Sequence, residues 1–141
     1  MRIAIINGPN LNLLGKRETD IYGSDSFESF YKKLKSEFSD HDIRYTQSNH
    51  EGELVDHIQQ LGFDSDAVII NPAAYTHTSV AIRDALAAVP AKVIEVHISN
   101  IYSRETFRHH SYVSAVASGV ISGFGLNGYR LAINHLLHES D

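Results

Sequence analysis

Short strand-like runs alternate with amphipathic, helix-like stretches along almost the whole chain. The runs that predict strands lie at 2–7, 42–47, 67–70, 93–98 and 117–121. Between them, apolar residues recur at helical spacing, as at Phe27, Phe30 and Leu34. Strands separated by helices predict a parallel sheet covered on both faces. Five such strands in 141 residues predict an α/β fold, with a flavodoxin-like, doubly wound sheet and helices on both faces.

Residues that favour helix ends set the expected boundaries. Ser24 or Ser26 is expected to cap the first helix, and Thr78 or Ser79 the third, because their hydroxyls accept free N–H groups of the first turn. Gly62 is expected to end the second helix as its C-cap.

Composition predicts one globular domain over residues 1–141, because 43% of residues are hydrophobic and neither a linker nor a repeat interrupts the chain. The absence of cysteine excludes disulfides and thiolate chemistry, and it fits a reducing compartment. The N-terminal apolar run is too short for a signal peptide or a membrane helix. We therefore expect a cytoplasmic protein with no membrane partner.

The charge distribution argues against a nucleic-acid partner, since the formal net charge is −5 and nucleic-acid binding requires a basic face. Three arginines nevertheless lie in polar, loop-like stretches, at Arg17, Arg104 and Arg108. This placement favours local binding of a small anion.

Polar residues follow three of the predicted strands at the point where each ends. Because ligands bind outside the carboxyl ends of parallel strands, this edge is the expected functional site. Its polar residues are Asn7, Asn10, Asn71, Tyr75, Thr76, His77, Glu95, His97, Ser99 and Asn100.

Glu95 and His97 are two residues apart on a predicted strand, so their side chains project from the same face. A carboxylate beside an imidazole orients the ring and favours its protonated form. The alternative is a buried ion pair with a structural role only.

Tyr22 lies in a polar loop, five residues after Arg17. Nearby guanidinium groups stabilise a phenolate and could lower the pKa of a tyrosine from about 10 toward neutrality, which would make it a base. Its position alone favours the alternative, a tyrosine that closes the loop onto the core, and does not identify Tyr22 as a base.

Other motifs do not indicate function. The G-x-G-x-x-G pattern at 123–128 is followed by only thirteen residues, too few for the strand and acidic residue of a dinucleotide site, so it predicts a tight turn. The adjacent His109 and His110 lack a spaced third ligand, so no metal is expected. A G-x-S-x-G elbow is absent. The lysines lie mostly on a helix face, which disfavours Schiff-base chemistry.

Several segments together resemble the type II 3-dehydroquinate dehydratase (type II dehydroquinase) family over nearly the whole chain. They are INGPNLNLLGKRE at 6–18, YG at 22–23, NPAAYTHTSVAIRDAL at 71–86, EVHISN at 95–100, the R-x-x-F-R-H-H-S-Y run at 104–112 and G-x-G-x-x-GY at 123–129. The resemblance implies reversible dehydration of 3-dehydroquinate to 3-dehydroshikimate through an enolate, in the shikimate pathway and without a cofactor or metal.

The resemblance also implies the catalytic roles. Tyr22 is the base that removes a proton from the carbon next to the ketone, and Arg17 lowers its pKa from a mobile lid loop at about 15–24. Asn10 helps to stabilise the enolate through a bound water. His97 protonates the departing hydroxyl, and Glu95 orients His97.

Substrate-binding roles are implied in the same way. The backbone N–H groups of Ile98 and Ser99 hold the substrate carboxylate. Asn71, His77 and Arg108 bind its ring hydroxyls.

The family further implies trimers that assemble into a homododecamer, with Asp84 on the helix that meets a neighbouring subunit's site. It places Arg104 at the lid or pocket wall without a defined role. Position 73 is Ala where many relatives have Gly, which makes a positive backbone φ there less expected.

Two alternatives remain open from the sequence. A flavodoxin-like binding or signalling module would need an acidic pair or a phosphate-cradling loop after the first strand, where this chain has Asn7, Asn10 and the run GPNLNLLG. A family member that has lost activity would have lost motif residues, which are all present here.

Overall fold

The structure is a computed structural model, and it describes residues 1–16 and 26–139. The strands are β1 (Arg2–Asn7), β2 (Asp42–Gln47), β3 (Ala67–Asn71), β4 (Lys92–His97) and β5 (Gly119–Ser122). The α-helices are α1 (Phe27–Glu37), α2 (Glu51–Phe63), α3 (Val80–Ala88) and α4 (Asn127–Glu139). None of the helices in this part of the chain is long and apolar enough to cross a membrane.

All five strands are parallel, in the order β2-β1-β3-β4-β5. The predicted doubly wound, flavodoxin-like sheet is therefore confirmed. The order reverses between β1 and β3, where Asn7 and Asn71 are partners in the register at the carboxyl ends of the two strands. In this fold class the switch point is the position where a ligand cleft opens.

The central strands are buried on both faces, so their apolar runs are continuous rather than alternating. One face is covered by α1 and α4, which pack Phe27, Leu34 and Tyr129 against Ile3 and Ile5. The other face is covered by α2 and α3, whose core residues include Leu54, Ile58, Ile82 and Leu86. The predicted two-sided covering is confirmed.

Serine caps fix the starts of two helices as expected. The Ser26 hydroxyl accepts the backbone N–H of Ser29 at 3.2 Å, and the Ser79 hydroxyl accepts that of Ile82 at 2.9 Å. Thr78, the alternative cap for α3, precedes the cap residue and does not cap the helix. Ser24, the alternative cap for α1, lies outside the described residues. Each cap satisfies one N–H group that the first helical turn leaves free.

The expected C-cap at Gly62 is wrong, because α2 continues through Phe63. A Cβ atom at Gly62 would lie 2.6 Å from the Cβ of Val89, at the end of α3. The glycine therefore permits close packing between α2 and the end of α3 rather than a left-handed helix end.

The tight turn predicted at 123–128 is confirmed. Gly123 and Gly125 have φ values of +98° and +62°, which residues with a Cβ rarely adopt, and α4 begins directly afterwards. Gly125 also donates its backbone N–H to the Ile98 carbonyl at 2.9 Å, so the turn is fixed to the end of β4.

Candidate active site

A cleft of about 210 Å³ opens outside the carboxyl ends of β1, β3 and β4. This is the edge of the sheet at which the sequence places the polar residues. The polar residues that line the cleft are Asn10, Asn71, His77, His97, Ser99, Arg104 and Arg108. Ile98 also lines it, whereas Glu95 lies behind His97 with no exposed surface.

Glu95 and His97 form a buried pair at the end of β4. The Nε2 atom of His97 donates to Oε2 of Glu95, and both residues are buried. Because this bond uses Nε2, the other ring nitrogen, Nδ1, remains for an interaction on the cleft side. The sequence-based expectation that the two side chains share a face is confirmed.

Three hydroxyl groups complete the surroundings of the Glu95 carboxylate. Oε2 accepts bonds from Thr76 Oγ1 at 3.1 Å and Ser111 Oγ at 2.8 Å, and Oε1 accepts one from Ser114 Oγ at 2.6 Å. Burial alone would raise the pKa of Glu95, but the bonds from His97 and the serines outweigh it and lower the pKa below its ordinary value. The carboxylate is therefore ionised although it is removed from solvent.

The roles of Ser111 and Ser114 were missed in the sequence. Ser111 lies in a loop between β4 and β5, and Ser114 begins a single 3₁₀ turn there, so no longer periodic pattern predicts the direction of either side chain. One signal was available: a glutamate inside an apolar strand must find hydrogen-bond donors, and the serines at 111 and 114 closely follow Arg104 and Arg108.

His77 presents an unprotonated nitrogen at the cleft. Its Nδ1 donates to the His110 carbonyl at 2.8 Å. Burial, together with the positive charges of His97 and Arg108, lowers the pKa of His77. A neutral ring whose proton is on Nδ1 has Nε2 as an acceptor, so His77 can accept a bond from a ligand hydroxyl.

One side of the cleft can hold an anion. Arg104 donates from Nη1 to Ser99 Oγ at 3.2 Å, and Arg108 donates from Nε to Glu105 Oε2 at 2.9 Å. Within the described part of the chain, no acceptor meets the backbone N–H groups of Ile98 and Ser99. Two consecutive free N–H groups beside two guanidinium groups suit a carboxylate.

Asn10 is held at the mouth of the cleft by a left-handed backbone conformation, with φ of 70° and ψ of −6°. Its backbone N–H donates to Asn49 Oδ1 at 3.0 Å. Asparagine tolerates this conformation better than most residues, and the bond to Asn49 leaves the Asn10 side chain available to a ligand.

Asn71 is fixed at both ends of its side-chain amide. Oδ1 accepts the backbone N–H of Ala73 at 3.0 Å, and Nδ2 donates to the Tyr129 hydroxyl at 2.9 Å. The expectation that alanine at position 73 disfavours a positive φ is wrong, because Ala73 has φ of 53°. The bond from its N–H to Asn71 holds this turn in a conformation that is strained for a residue with a Cβ.

Three predicted site residues are not brought to the cleft by the described structure. Tyr22 and Arg17, with most of the predicted lid loop at 15–24, lie outside the described residues. Asp84 lies on α3 with 64% of its side chain exposed; it pairs with Arg83 at 2.9 Å and does not line the cleft of its own chain. In residues 1–16 and 26–139, no group of three or more His, Asp and Glu side chains is arranged to hold a metal ion.

Comparisons with known proteins identify the family of the chain. The family described as Dehydroquinase class II matches residues 1–137. The chain is 53% identical over 140 residues to the 3-dehydroquinate dehydratase of Exiguobacterium sp. strain AT1b, covering 99% of this chain and 96% of that one. It is 56% identical over 133 residues to that of Gloeothece citriformis, covering 93% and 88%.

A solved structure gives the same result for the fold. The type II dehydroquinase of Butyrivibrio crossotus superposes with a TM-score of 0.92 at 49% identity, covering 96% of this chain and 97% of that one. A match of this extent in both sequence and structure leaves one assignment: the chain belongs to the class II dehydroquinase family of hydro-lyases.

Proposed function

We propose that the chain catalyses the reversible dehydration of 3-dehydroquinate to 3-dehydroshikimate through an enolate, with Tyr22 as the base and His97 as the acid. The observation that carries the proposal is the buried Glu95–His97 pair, whose imidazole lines a cleft at the switch point of the sheet. An ionised carboxylate behind an imidazole is what a general acid needs, because it favours the protonated ring.

The proposed reaction has two proton transfers. The Tyr22 phenolate removes a proton from the carbon next to the ketone, and the electron pair of that C–H bond forms the enolate. The enolate then collapses, the bond from carbon to the hydroxyl group breaks, and His97 donates a proton so that the hydroxyl leaves as water. Arg17 keeps Tyr22 deprotonated, and Asn10 stabilises the enolate through a water molecule. Tyrosinate and imidazolium supply both transfers, so the reaction requires no cofactor.

Substrate binding is proposed to use the polar side of the cleft. The free backbone N–H groups of Ile98 and Ser99 bind the carboxylate, in keeping with the positive charge of the nearby arginines. Asn71, His77 and Arg108 bind the ring hydroxyls. The acceptor nitrogen of His77 supports its part, because a hydroxyl can donate to it.

We also propose that residues 1–141 form a single catalytic domain with a lid at about 15–24. The protein is proposed to act in the cytoplasm, in the shikimate pathway. The proposed assembly is a homododecamer of trimers in which Asp84 reaches a neighbouring subunit's site. The exposure of Asp84 and of large apolar side chains such as Phe107 and Phe124, at 65% and 61%, supports an assembly. Light scattering after size-exclusion chromatography measures it.

The test of the activity is to add 3-dehydroquinate to the purified protein and to follow the ultraviolet absorbance of the conjugated enone product. We expect turnover by the wild-type chain and its loss in His97→Asn. Borohydride added with substrate is expected to leave the enzyme active. Absence of enone formation by the wild-type chain, or a lysine adduct trapped by borohydride, would contradict the proposal.

A further inference from the structure

We propose that Tyr129 is a positioning residue for substrate binding, because its buried hydroxyl holds the Nδ2 end of the Asn71 side-chain amide in place at the cleft. The inference rests on the proposed function, in which Asn71 binds a ring hydroxyl of the substrate. Tyr129 itself does not line the cleft. It lies in the first turns of α4, directly after the glycine turn.

A chain of hydrogen bonds joins the ends of β1 and β3 through Tyr129. Its hydroxyl donates to Asn7 Oδ1 at 2.7 Å and accepts from Asn71 Nδ2 at 2.9 Å. Asn7 and Asn71 are register partners at the carboxyl ends of the two strands. Tyr129 and Asn7 have no exposed surface and Asn71 only 3%, so solvent cannot replace these bonds.

The Ala73 N–H determines which end of the Asn71 amide faces Tyr129, and the Tyr129 hydroxyl then holds that end in place. The N–H of Ala73 can only donate, and it lies 3.0 Å from Asn71 Oδ1. Nδ2 of Asn71 must therefore face Tyr129, whose hydroxyl oxygen accepts from it and whose single proton goes to Asn7. A flipped Asn71 amide would oppose donor to donor at Ala73, so only one orientation is compatible with the network.

This arrangement defines what Asn71 can offer to a ligand. One Nδ2 proton and one lone pair of Oδ1 are used inside the protein, which leaves one donor and one acceptor position. Burial raises the pKa of Tyr129 far above its usual range, so its hydroxyl keeps its proton at any working pH. Its effect on Asn71 should therefore not vary with pH.

The test compares Tyr129→Phe with the control Tyr31→Phe. The Tyr31 hydroxyl also donates a partly buried hydrogen bond, to the Ile43 carbonyl at 2.8 Å, but Tyr31 does not line the cleft. Both variants lose one phenolic hydroxyl. Tyr129→Phe is expected to lose more stability in urea than Tyr31→Phe, because it leaves two buried partners unpaired rather than one. A second variant, Asn7→Ala, keeps the phenol but removes the acceptor that directs its proton.

In steady-state assays with 3-dehydroquinate, Tyr129→Phe is expected to raise KM about tenfold, equivalent to about 1.4 kcal/mol, and to change kcat less than threefold, since the lost contact acts in substrate and transition state alike. Asn7→Ala is expected to raise KM about threefold, and Tyr31→Phe less than twofold. Equal KM values in Tyr129→Phe and Tyr31→Phe would overturn the inference.

A crystal structure of Tyr129→Phe provides a readout that does not depend on activity. We expect the Asn71 amide to be rotated or to occupy more than one conformer, while in Tyr31→Phe it stays as in the wild type. An unchanged, single Asn71 conformer in Tyr129→Phe overturns the inference. If the wild-type chain lacks dehydratase activity, the proposed function fails, and this structural comparison still decides the role of Tyr129.

Discussion

The imidazole of His97 donates to the carboxylate of Glu95, two residues earlier on β4, at the point where β4 ends at the cleft. Glu95 is wholly buried, and hydrogen bonds from His97, Ser111 and Ser114 keep its carboxylate ionised. A buried charge of this kind is costly unless all its hydrogen bonds are made. Its presence behind the cleft is explained if it orients the His97 imidazole, as we propose.

Replacing Glu95 with glutamine tests this relationship. The variant keeps the shape of the side chain but removes the negative charge beside His97. We expect kcat to fall by roughly 100-fold, because the acid loses its charged partner. Steady-state kinetics at pH 7 measure the change. The matched control is Glu37→Gln, which removes a carboxylate paired with Arg130 at 2.8 Å, outside the cleft, and should leave kcat unchanged.

Glu95→Gln is also expected to lower the free energy of unfolding in a way that depends on pH. The pKa of Glu95 in the folded chain lies below its ordinary value of 4.5. A depressed pKa contributes stability that is fully present above the unfolded value and is lost as the pH falls through the folded one. Urea unfolding should show Glu95→Gln less stable than wild type by about 1–3 kcal/mol at pH 7. This difference should narrow once the pH falls below 4.5; a difference that is constant with pH would show that Glu95 is not ionised in the fold.

Ser114→Ala isolates one hydroxyl donor. Ser114 is the one described residue that donates to Oε1 of Glu95, at 2.6 Å, so its loss leaves that oxygen unpaired. We expect kcat to fall about fivefold to tenfold, which corresponds to about 1–1.4 kcal/mol for a bond to a charged group. Ser103→Ala removes an exposed hydroxyl that donates to the Asn100 carbonyl at 2.9 Å and should change kcat less than twofold. Equal kcat values in the two variants would contradict the role given to Ser114.

Ala73→Gly tests the strained turn beside Asn71. Ala73 has φ of 53°, a conformation that costs a residue with a Cβ about 1–2 kcal/mol. Glycine relieves this strain but loses more entropy on folding, so we expect a net gain of about 0.5–1 kcal/mol in urea unfolding. Ala74→Gly, one residue later and without a positive φ, should lose about 0.5–1 kcal/mol instead. The interpretation fails if the two substitutions change stability in the same direction.

Much of the fold follows from local patterns in the sequence. The apolar runs of β1, β3 and β4 predict strands because both faces of these strands are covered. Ser26 and Ser79 indicate the starts of their helices because serine favours the N-cap position. The role of Gly62 was predicted wrongly because a glycine is required there by close contact with Val89, which is distant in sequence. A glycine needed for close packing and a glycine needed for a helix end are indistinguishable in one chain.

The residues of the candidate site could be predicted only in part from the sequence. The rule for parallel sheets located the edge, and the two-residue spacing placed Glu95 beside His97. The donors Ser111 and Ser114 were missed because irregular segments carry no periodicity that gives side-chain direction. Tyr129 appeared in the sequence at the end of the G-x-G-x-x-GY segment, and no spacing reveals that its hydroxyl meets Asn7 and Asn71.

The most direct test of the proposed chemistry compares Tyr22→Phe and His97→Asn with the control Tyr102→Phe, whose ring is 62% exposed. The kcat for enone formation from 3-dehydroquinate is expected to fall at least 1,000-fold in Tyr22→Phe and at least 100-fold in His97→Asn, because each removes one of two required proton transfers. Tyr102→Phe should stay within twofold of wild type. A kcat within tenfold of wild type in either Tyr22→Phe or His97→Asn, with the fold intact, would contradict the assignment of base and acid.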